Sequence, residues 1–143
     1  MDDIDFQILE MLKANGRITS SEISKAIHLS VPAVTERIRK LEKNGVIDQF
    51  TVKLNRKAIG HNFMVFIFVQ LNGSAKTETF RKNITQSPLV LECHHISGEY
   101  DYLLKVGLPD LSEMESFITH TLKANHDVVR SNTIFILSTL KEE

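Results

Sequence analysis

The chain has 143 residues, 42% of them hydrophobic and 24% charged, with a formal net charge of −1. That profile belongs to an ordinary folded protein of one domain or two small ones, and it excludes a largely disordered or polycationic chain. No apolar run approaches the roughly 20 residues of a membrane-crossing helix, the acidic amphipathic N-terminus does not read as a secretory signal, and the lone cysteine, Cys93, excludes an intrachain disulfide framework, so a cytoplasmic protein is expected.

The small net charge hides an asymmetry. Residues 1–60 hold 10 Lys and Arg against 8 Asp and Glu, residues 61–143 hold 7 against 10, and the window 37–57 holds 7 against 2. A local basic patch on a near-neutral chain suits a DNA-binding module better than a non-specific polycation, although charge alone fits a solvated face equally well.

In chain order, Ile4, Ile8, Leu9 and Leu12 recur at helical spacing and predict a helix over residues 2–15. Asp2, Asp3 and Asp5 crowd its first turn, where the helix dipole favours negative charge, and Gly16 is its stop. Thr19 followed by Glu22 is a capping-box pattern opening a second helix whose buried side is Ile23 and Ile27. His28, Leu29 and Ser30 form a turn, with His28 where many such turns carry Gly; histidine is among the residues that tolerate positive φ. Ser30 then caps a third helix with Pro32 in its first turn, and Gly45 ends it. Val34, Ile38 and Leu41 form the inner stripe, which leaves Pro32, Ala33, Glu36, Arg39, Lys40 and Lys43 outward and Thr35 and Arg37 at the edges. Val46, Ile47 and residues 49–54 read as a short strand, a small wing.

Two short helices joined by a three-residue turn, the second with a basic outer face, is a pattern that enters the DNA major groove. Ser30, Pro32, Ala33, Thr35 and Glu36 lie near the start of the third helix, the part that reaches base edges, and Glu36 suits a cytosine amine. Arg37, Arg39 and Lys40 suit phosphates, with either arginine also able to read guanine. Arg37 has a second reading, in which it pairs with Asp5 and serves structure.

Residues 55–62 lack apolar periodicity and read as a linker between a domain at 1–54 and another at 63–143. The second domain predicts strand 64–71, helix 75–86, strands 89–97 and 102–108, helix 111–125 and strand 128–140. The last helix has Asp110 and Glu113 as a capping pair and a stripe of Met114, Phe117, Ile118, Thr121 and Leu122. The order βαββαβ implies a ferredoxin-like sheet with both helices on one face, so the fold class is α+β, a winged helix-turn-helix followed by a ferredoxin-like domain. A sheet covered on one side alternates apolar and polar residues, yet the first strand of this domain, MVFIFVQL, is apolar at nearly every position, as is IFIL at 134–137. A second copy of the sheet is the economical cover, and a homodimer through this domain is expected.

Cys93, His94 and His95 invite a metal reading, but neighbours on a strand point to opposite faces, so only Cys93 and His95 share one; two ligands are too few, and packing is the better account. His120 and His126 form no zinc motif. No metal or cofactor is expected, and no phosphate-cradling loop or nucleophile elbow is present.

Taken together, Asp2-x-x-Asp5-x-x-Ile8-Leu9, Gly16-Arg17-Ile18, Glu22-Ile23-Ser24, Leu29-Ser30, Arg37-Ile38-x-x-Leu41-Glu42-x-x-Gly45-Val46-Ile47, Gly98-Glu99-Tyr100-Asp101-Tyr102 and Ser131-x-Thr133 resemble the Lrp/AsnC (feast/famine) transcriptional regulators, LrpC-type members in particular. The resemblance implies a DNA-binding regulator whose dimers assemble further, often into octamers that wrap DNA, located in the cytoplasm on the nucleoid. It also implies an amino-acid effector held between C-terminal domains by Gly98, Glu99, Tyr100, Asp101, Ser131 and Thr133. Read from the residues themselves, the 98–101 segment fits a tight hairpin as well as a ligand site. Two other functions compete: an architectural protein that bends DNA with weak sequence preference, and an enzyme on the same two-domain layout, as in some tetrapyrrole decarboxylases, against which the basic helix argues.

Overall fold

A computed structural model describes residues 1–73, 77–124 and 127–142. The chain divides into two units, Met1–Lys53 and Leu54–Glu143.

The first unit is three helices, α1 (Asp3–Ala14), α2 (Ser20–Ile27) and α3 (Val31–Lys43). Each begins on a side chain that accepts from its own first turn. Asp2 with Asp5 and Thr19 with Glu22 both form complete capping boxes, and the Ser30 hydroxyl accepts from the Ala33 amide. One apolar residue or two per helix closes the core: Ile8, Ile23, Val34 and Leu41 are buried, with Ile4, Leu12, Ile27 and Ile38 among the residues packed round them. Full burial of such a side chain contributes about 1.5–3 kcal/mol. His28 sits at φ 56°, ψ 39°, in the left-handed region. The turn it makes is tied by Ser24, whose hydroxyl donates to the Leu29 carbonyl at 2.6 Å while its own carbonyl accepts from the Leu29 amide at 3.2 Å.

The strand expected within 46–54 is absent. Residues 48–55 form no regular element, because a strand needs a ladder partner and no neighbouring segment of the chain supplies one among the described residues. Phe50, Val52 and Leu54 are left exposed. Residues 55–62, read as a linker, fall in the second unit, where Lys57–Ile59 makes one 3₁₀ turn and the Asn62 side-chain amide donates to the Pro109 carbonyl at 2.9 Å.

The second unit is an antiparallel sheet of β1 (Phe63–Leu71), β2 (Val90–His95), β3 (Tyr102–Leu108) and β4 (Val128–Phe135), in the order β2-β3-β1-β4. Helices α4 (Thr77–Thr85) and α5 (Leu111–Ser116) connect the strands. This is the ferredoxin-like arrangement that the βαββαβ order predicts. Val65, Ile67, Val69, Tyr102, Leu104, Val106, Phe80, Ile84, Phe117 and Leu122 form its core. The expected starts and ends of the helices at Ala75 and Asn125 lie outside the described residues.

Two further differences have physical causes. α5 continues past Ser116 as a π turn, Phe117–Leu122. Its wider winding brings Phe117 and Leu122, five apart, onto the same buried side, where both are at most 1% exposed. β4 stops at Phe135 rather than 140. Ile136 makes one last bond to Met64, and β1 has no residue beyond Phe63 to continue the ladder.

The other face of the sheet is the apolar one anticipated from MVFIFVQL. Phe66 lies between Lys105 and Ile134, and Phe68 between Leu103 and Asn132. Met64, Phe66, Phe68 and Leu103 are only half-buried and Ile134 is 47% exposed. Lys105, the cation in the middle of this face, is held by Glu92 at 3.1 Å and by Glu142. Those two carboxylates, Glu142 first, raise its pKa against the effect of burial.

Candidate functional site

α3 shows a strict division of faces. Val34 and Leu41 are buried and Ile38 half-buried, whereas Ser30, Pro32, Thr35, Glu36, Arg39, Lys40 and Lys43 are exposed and Ala33 and Arg37 lie between. The repeat of 3.6 residues makes Pro32, Thr35, Glu36, Arg39, Lys40 and Lys43 one continuous outer stripe. Among the outward groups of its first two turns, Pro32 and Ala33 offer only apolar surface, and the Thr35 hydroxyl spends its proton on the Val31 carbonyl at 3.0 Å.

The cations on α3 are not equivalent. Arg37 turns back from the stripe: its Nη1 donates to Asp5 at 2.7 Å and to both Asp2 oxygens at 2.9 and 3.0 Å. Those contacts, Asp5 first, raise the Arg37 pKa. This is the structural alternative to a phosphate contact. Arg39 makes a two-pronged pair with Glu36, Nε to Oε2 at 2.8 Å and Nη2 to Oε1 at 2.7 Å. The pairing lowers the Glu36 pKa and raises that of Arg39. Lys40 stands 3.9 Å from the same carboxylate, its side chain 64% exposed.

The turn between β2 and β3 is the second candidate. Gly98 has φ 120°, open to glycine and strained for other residues. Asp101 holds the turn to the sheet through its backbone and one carboxylate oxygen. Its carboxylate accepts from the Leu71 amide at 2.7 Å, its amide donates to the Val69 carbonyl at 2.9 Å, and its carbonyl accepts from the Ile96 amide at 2.9 Å. Glu99 and Tyr100 point elsewhere, towards Arg130, which pairs with Glu99 at 2.7 Å and lies 4.9 Å over the Tyr100 ring. Tyr100 in turn packs on Phe68 of the apolar face, ring centres 5.4 Å apart. Ser131 and Thr133 are paired directly with Val69 and Ile67, so they share the helix-covered side of the sheet. Within one chain, then, Glu99 and Tyr100 gather on one face and Ser131 and Thr133 on the other, with Asp101 at the end of β1. Sequence reasoning missed Arg130, because no local spacing links it to a turn some 30 residues earlier.

Cys93 is packed against the core and its thiol is pushed up in pKa by burial. His95 stacks on Tyr102 at 5.0 Å, and His94 pairs with Glu92 at 3.2 Å. Arg81 closes this cluster, donating to the Tyr102 hydroxyl at 2.7 Å and to Glu78 at 3.1 Å. Among the described residues no three His, Cys, Asp or Glu side chains gather as a metal ion requires, and no helix is long and apolar enough to cross a membrane. His126 lies outside the described residues.

Residues 64–143 match the family described as the Lrp/AsnC ligand binding domain, and residues 1–48 match winged helix-turn-helix DNA-binding. The leucine-responsive regulatory protein of Escherichia coli K12 is 34% identical over 144 aligned residues, covering 99% of this chain and 88% of its own. Bacillus subtilis LrpC superposes with a TM-score of 0.90 at 31% identity, over 100% of this chain and 99% of its own. A transcriptional regulator of Neisseria meningitidis, solved as a complex with L-methionine, superposes with a TM-score of 0.94 at 30% identity, over 99% and 93%.

Proposed function

We propose, from the premise that this chain belongs to the Lrp/AsnC family of transcriptional regulators, that it binds double-stranded DNA through α3 as a homodimer that assembles further, up to an octamer. The observation that carries the reading is the exposed outer stripe of α3, with uncharged residues at the helix start and Arg39, Lys40 and Lys43 in its second half. In this account Ser30, Pro32, Ala33, Thr35 and Glu36 face base edges in the major groove, the apolar ones against thymine methyls, and Lys40 and Lys43 sit on phosphate oxygens. Paired units read half-sites in successive major grooves, and the ring bends or wraps the DNA, on the nucleoid in the cytoplasm. The open sheet face, with Phe66, Phe68 and Ile134, is the surface through which two copies join.

An amino acid is the proposed effector. Support comes from the L-methionine bound by the Neisseria relative and from the family described for residues 64–143. Gly98, Glu99, Tyr100 and Asp101 form its main contact, with Ser131 and Thr133 contributed across a junction between copies, since one chain keeps them apart. Occupancy alters assembly, and through it DNA affinity. The relatives named above are regulators, which supports a non-enzymatic role.

Fluorescence anisotropy with candidate and random duplexes across a salt series tests the reading. Nanomolar binding with log K falling steeply with log salt is expected. Absence of binding to any duplex, with and without methionine or leucine, overturns it. A second reading, DNA bending with weak sequence preference, is favoured by Pro32 and Ala33, which bring no hydrogen-bonding group to a base edge. Equal affinity for all duplexes with strong bending would select it.

A further inference from the structure

The two-pronged pair between Glu36 and Arg39 bears on how α3 reads DNA, and the step taken here rests on the DNA-binding reading above. Ser30 accepts from the Ala33 amide and keeps its own proton, and after it Glu36 is the one outward side chain in the first two turns whose polar groups make no hydrogen bond to the helix backbone. Pro32 and Ala33 have none, and Thr35 donates to Val31. A lone carboxylate on that stripe is repelled by phosphates on both sides of the groove. Held by Arg39 at 2.7 and 2.8 Å, with Lys40 3.9 Å away, it enters the groove as part of a group that is not net negative.

The geometry has a second effect. Arg39 engages both carboxylate oxygens through Nε and Nη2, so the carboxylate plane is fixed relative to the helix, with an outward lone pair left on each oxygen. A carboxylate so fixed accepts from an exocyclic amine, the cytosine N4 donor above all. Splitting the pair to place Arg39 on a phosphate strands the Glu36 charge in the same groove, so the two residues act as a unit.

We infer that Glu36 is the base-reading residue of α3 and that Arg39 is its positioning residue, spent on holding Glu36 rather than on a phosphate. The same neutralised pair limits non-specific affinity, because a guanidinium bound to Glu36 releases no counterion from DNA.

The test uses the full chain and the tightest duplex selected from a randomised pool, with every single-base-pair variant of that duplex and a salt series for each protein. Arg39→Ala is expected to relax preference at one base-pair position, by about fivefold to tenfold, with the salt slope retained. Glu36→Gln is expected to relax the same position, to bind random duplex more tightly, and to steepen the salt slope by about 0.9, the share of one freed cation. Arg39→Lys keeps the charge but cannot hold both oxygens, so it too is expected to relax that position. A phosphate role for Arg39 gives the opposite pattern: uniform weakening on all duplexes, a slope reduced by about 1, and near-normal behaviour of Arg39→Lys. That pattern, or relaxation at different positions in the Glu36 and Arg39 variants, overturns the inference. Both side chains are about half exposed, so the variants fold, and an unchanged thermal melt confirms it. Wild-type protein that binds no duplex sinks the DNA-binding reading itself; wild-type protein that binds all duplexes equally sinks only the base-reading step.

Discussion

Arg37 on the third helix reaches Asp5 on the first at 2.7 Å, and the same nitrogen touches Asp2, the residue that caps that helix. One guanidinium therefore joins the cap of α1, its first turn and the middle of α3. Asp5 is only 15% exposed at its side chain and Arg37 30%, so removing the cation leaves a partly buried carboxylate without its main partner. Arg37→Ala is expected to lower the melting temperature of Met1–Lys53 and Asp5→Asn to do the same, with a combined loss smaller than the sum of the two because they share one contact. At a temperature where the variant is folded, its DNA salt slope is expected to match wild type. A slope reduced by about 1 with an unchanged melt would instead make Arg37 a phosphate contact.

The capping carboxylates give this unit a definite acid limit. Asp2 is held below its ordinary value of 3.8, first by the Asp5 backbone amide and then by Arg37. Glu22 is held below 4.5, first by the Thr19 amide and then by its hydroxyl. A depressed carboxylate binds its proton more readily in the unfolded chain, so its contribution is complete above 3.8 and 4.5 respectively and is lost as pH falls through the lower folded values. Thermal melts are expected to be flat in this respect from pH 7 to about 5 and to fall below about 4. Asp2→Asn and Glu22→Gln each start lower and lose less on acidification. Equal acid sensitivity in wild type and both variants would remove the caps as the cause.

The helical unit was legible because its signals are local. Thr19 with Glu22 and Ser30 with Pro32 announce helix starts within four residues, and Arg37 was already paired with Asp5 as one of two readings. The strand at 46–54 misled for the opposite reason: Phe50, Val52 and Leu54 alternate as a strand should, but alternation does not supply a partner. The π turn was hidden because Met114, Phe117, Ile118, Thr121 and Leu122 fit the buried side of either winding. At the 98–101 turn, the glycine and aspartate were visible, yet Asp101 proved to be bonded to the Leu71 backbone and Arg130 stood over Tyr100. Such pairings depend on strand register, which is set by the whole sheet.

Gly107 illustrates a constraint no local pattern carries. A Cβ at this position would stand 2.5 Å from Nδ1 of His61 and 2.8 Å from Cγ, so the imidazole ring rests on the bare backbone of β3. Nδ1 of His61 is buried without a hydrogen-bond partner among the described residues. Gly107→Ala is expected to cost about 1–3 kcal/mol by overpacking, and His61→Ala in the same chain is expected to restore most of it. Urea denaturation of the four proteins closes the cycle. A loss in Gly107→Ala that persists in the double variant would place its cause in the strand backbone instead.

The apolar face of the sheet makes a sharper demand. Ile134, Phe66 and Lys105 run side by side across β4, β1 and β3, and Ile134 is 47% exposed in the single chain. In a twofold junction each copy presents the same patch to the other, so one substitution enters the interface twice. Ile134→Lys leaves the core of the monomer untouched, because Ile134 is on the side away from Val65 and Ile67. It places two unpaired charges in an apolar contact, a cost of several kcal/mol that raises the dissociation constant by roughly 100-fold or more. Leu111→Lys, 56% exposed at the start of α5, is the control. Sedimentation is expected to show Ile134→Lys as a folded monomer, with Leu111→Lys as large as wild type. DNA affinity of the monomer is expected to fall with it, since half-site pairing is lost. Unchanged mass in Ile134→Lys would move the dimer junction to another surface, for which exposed Phe50, Val52 and Leu54 are the next apolar residues to test.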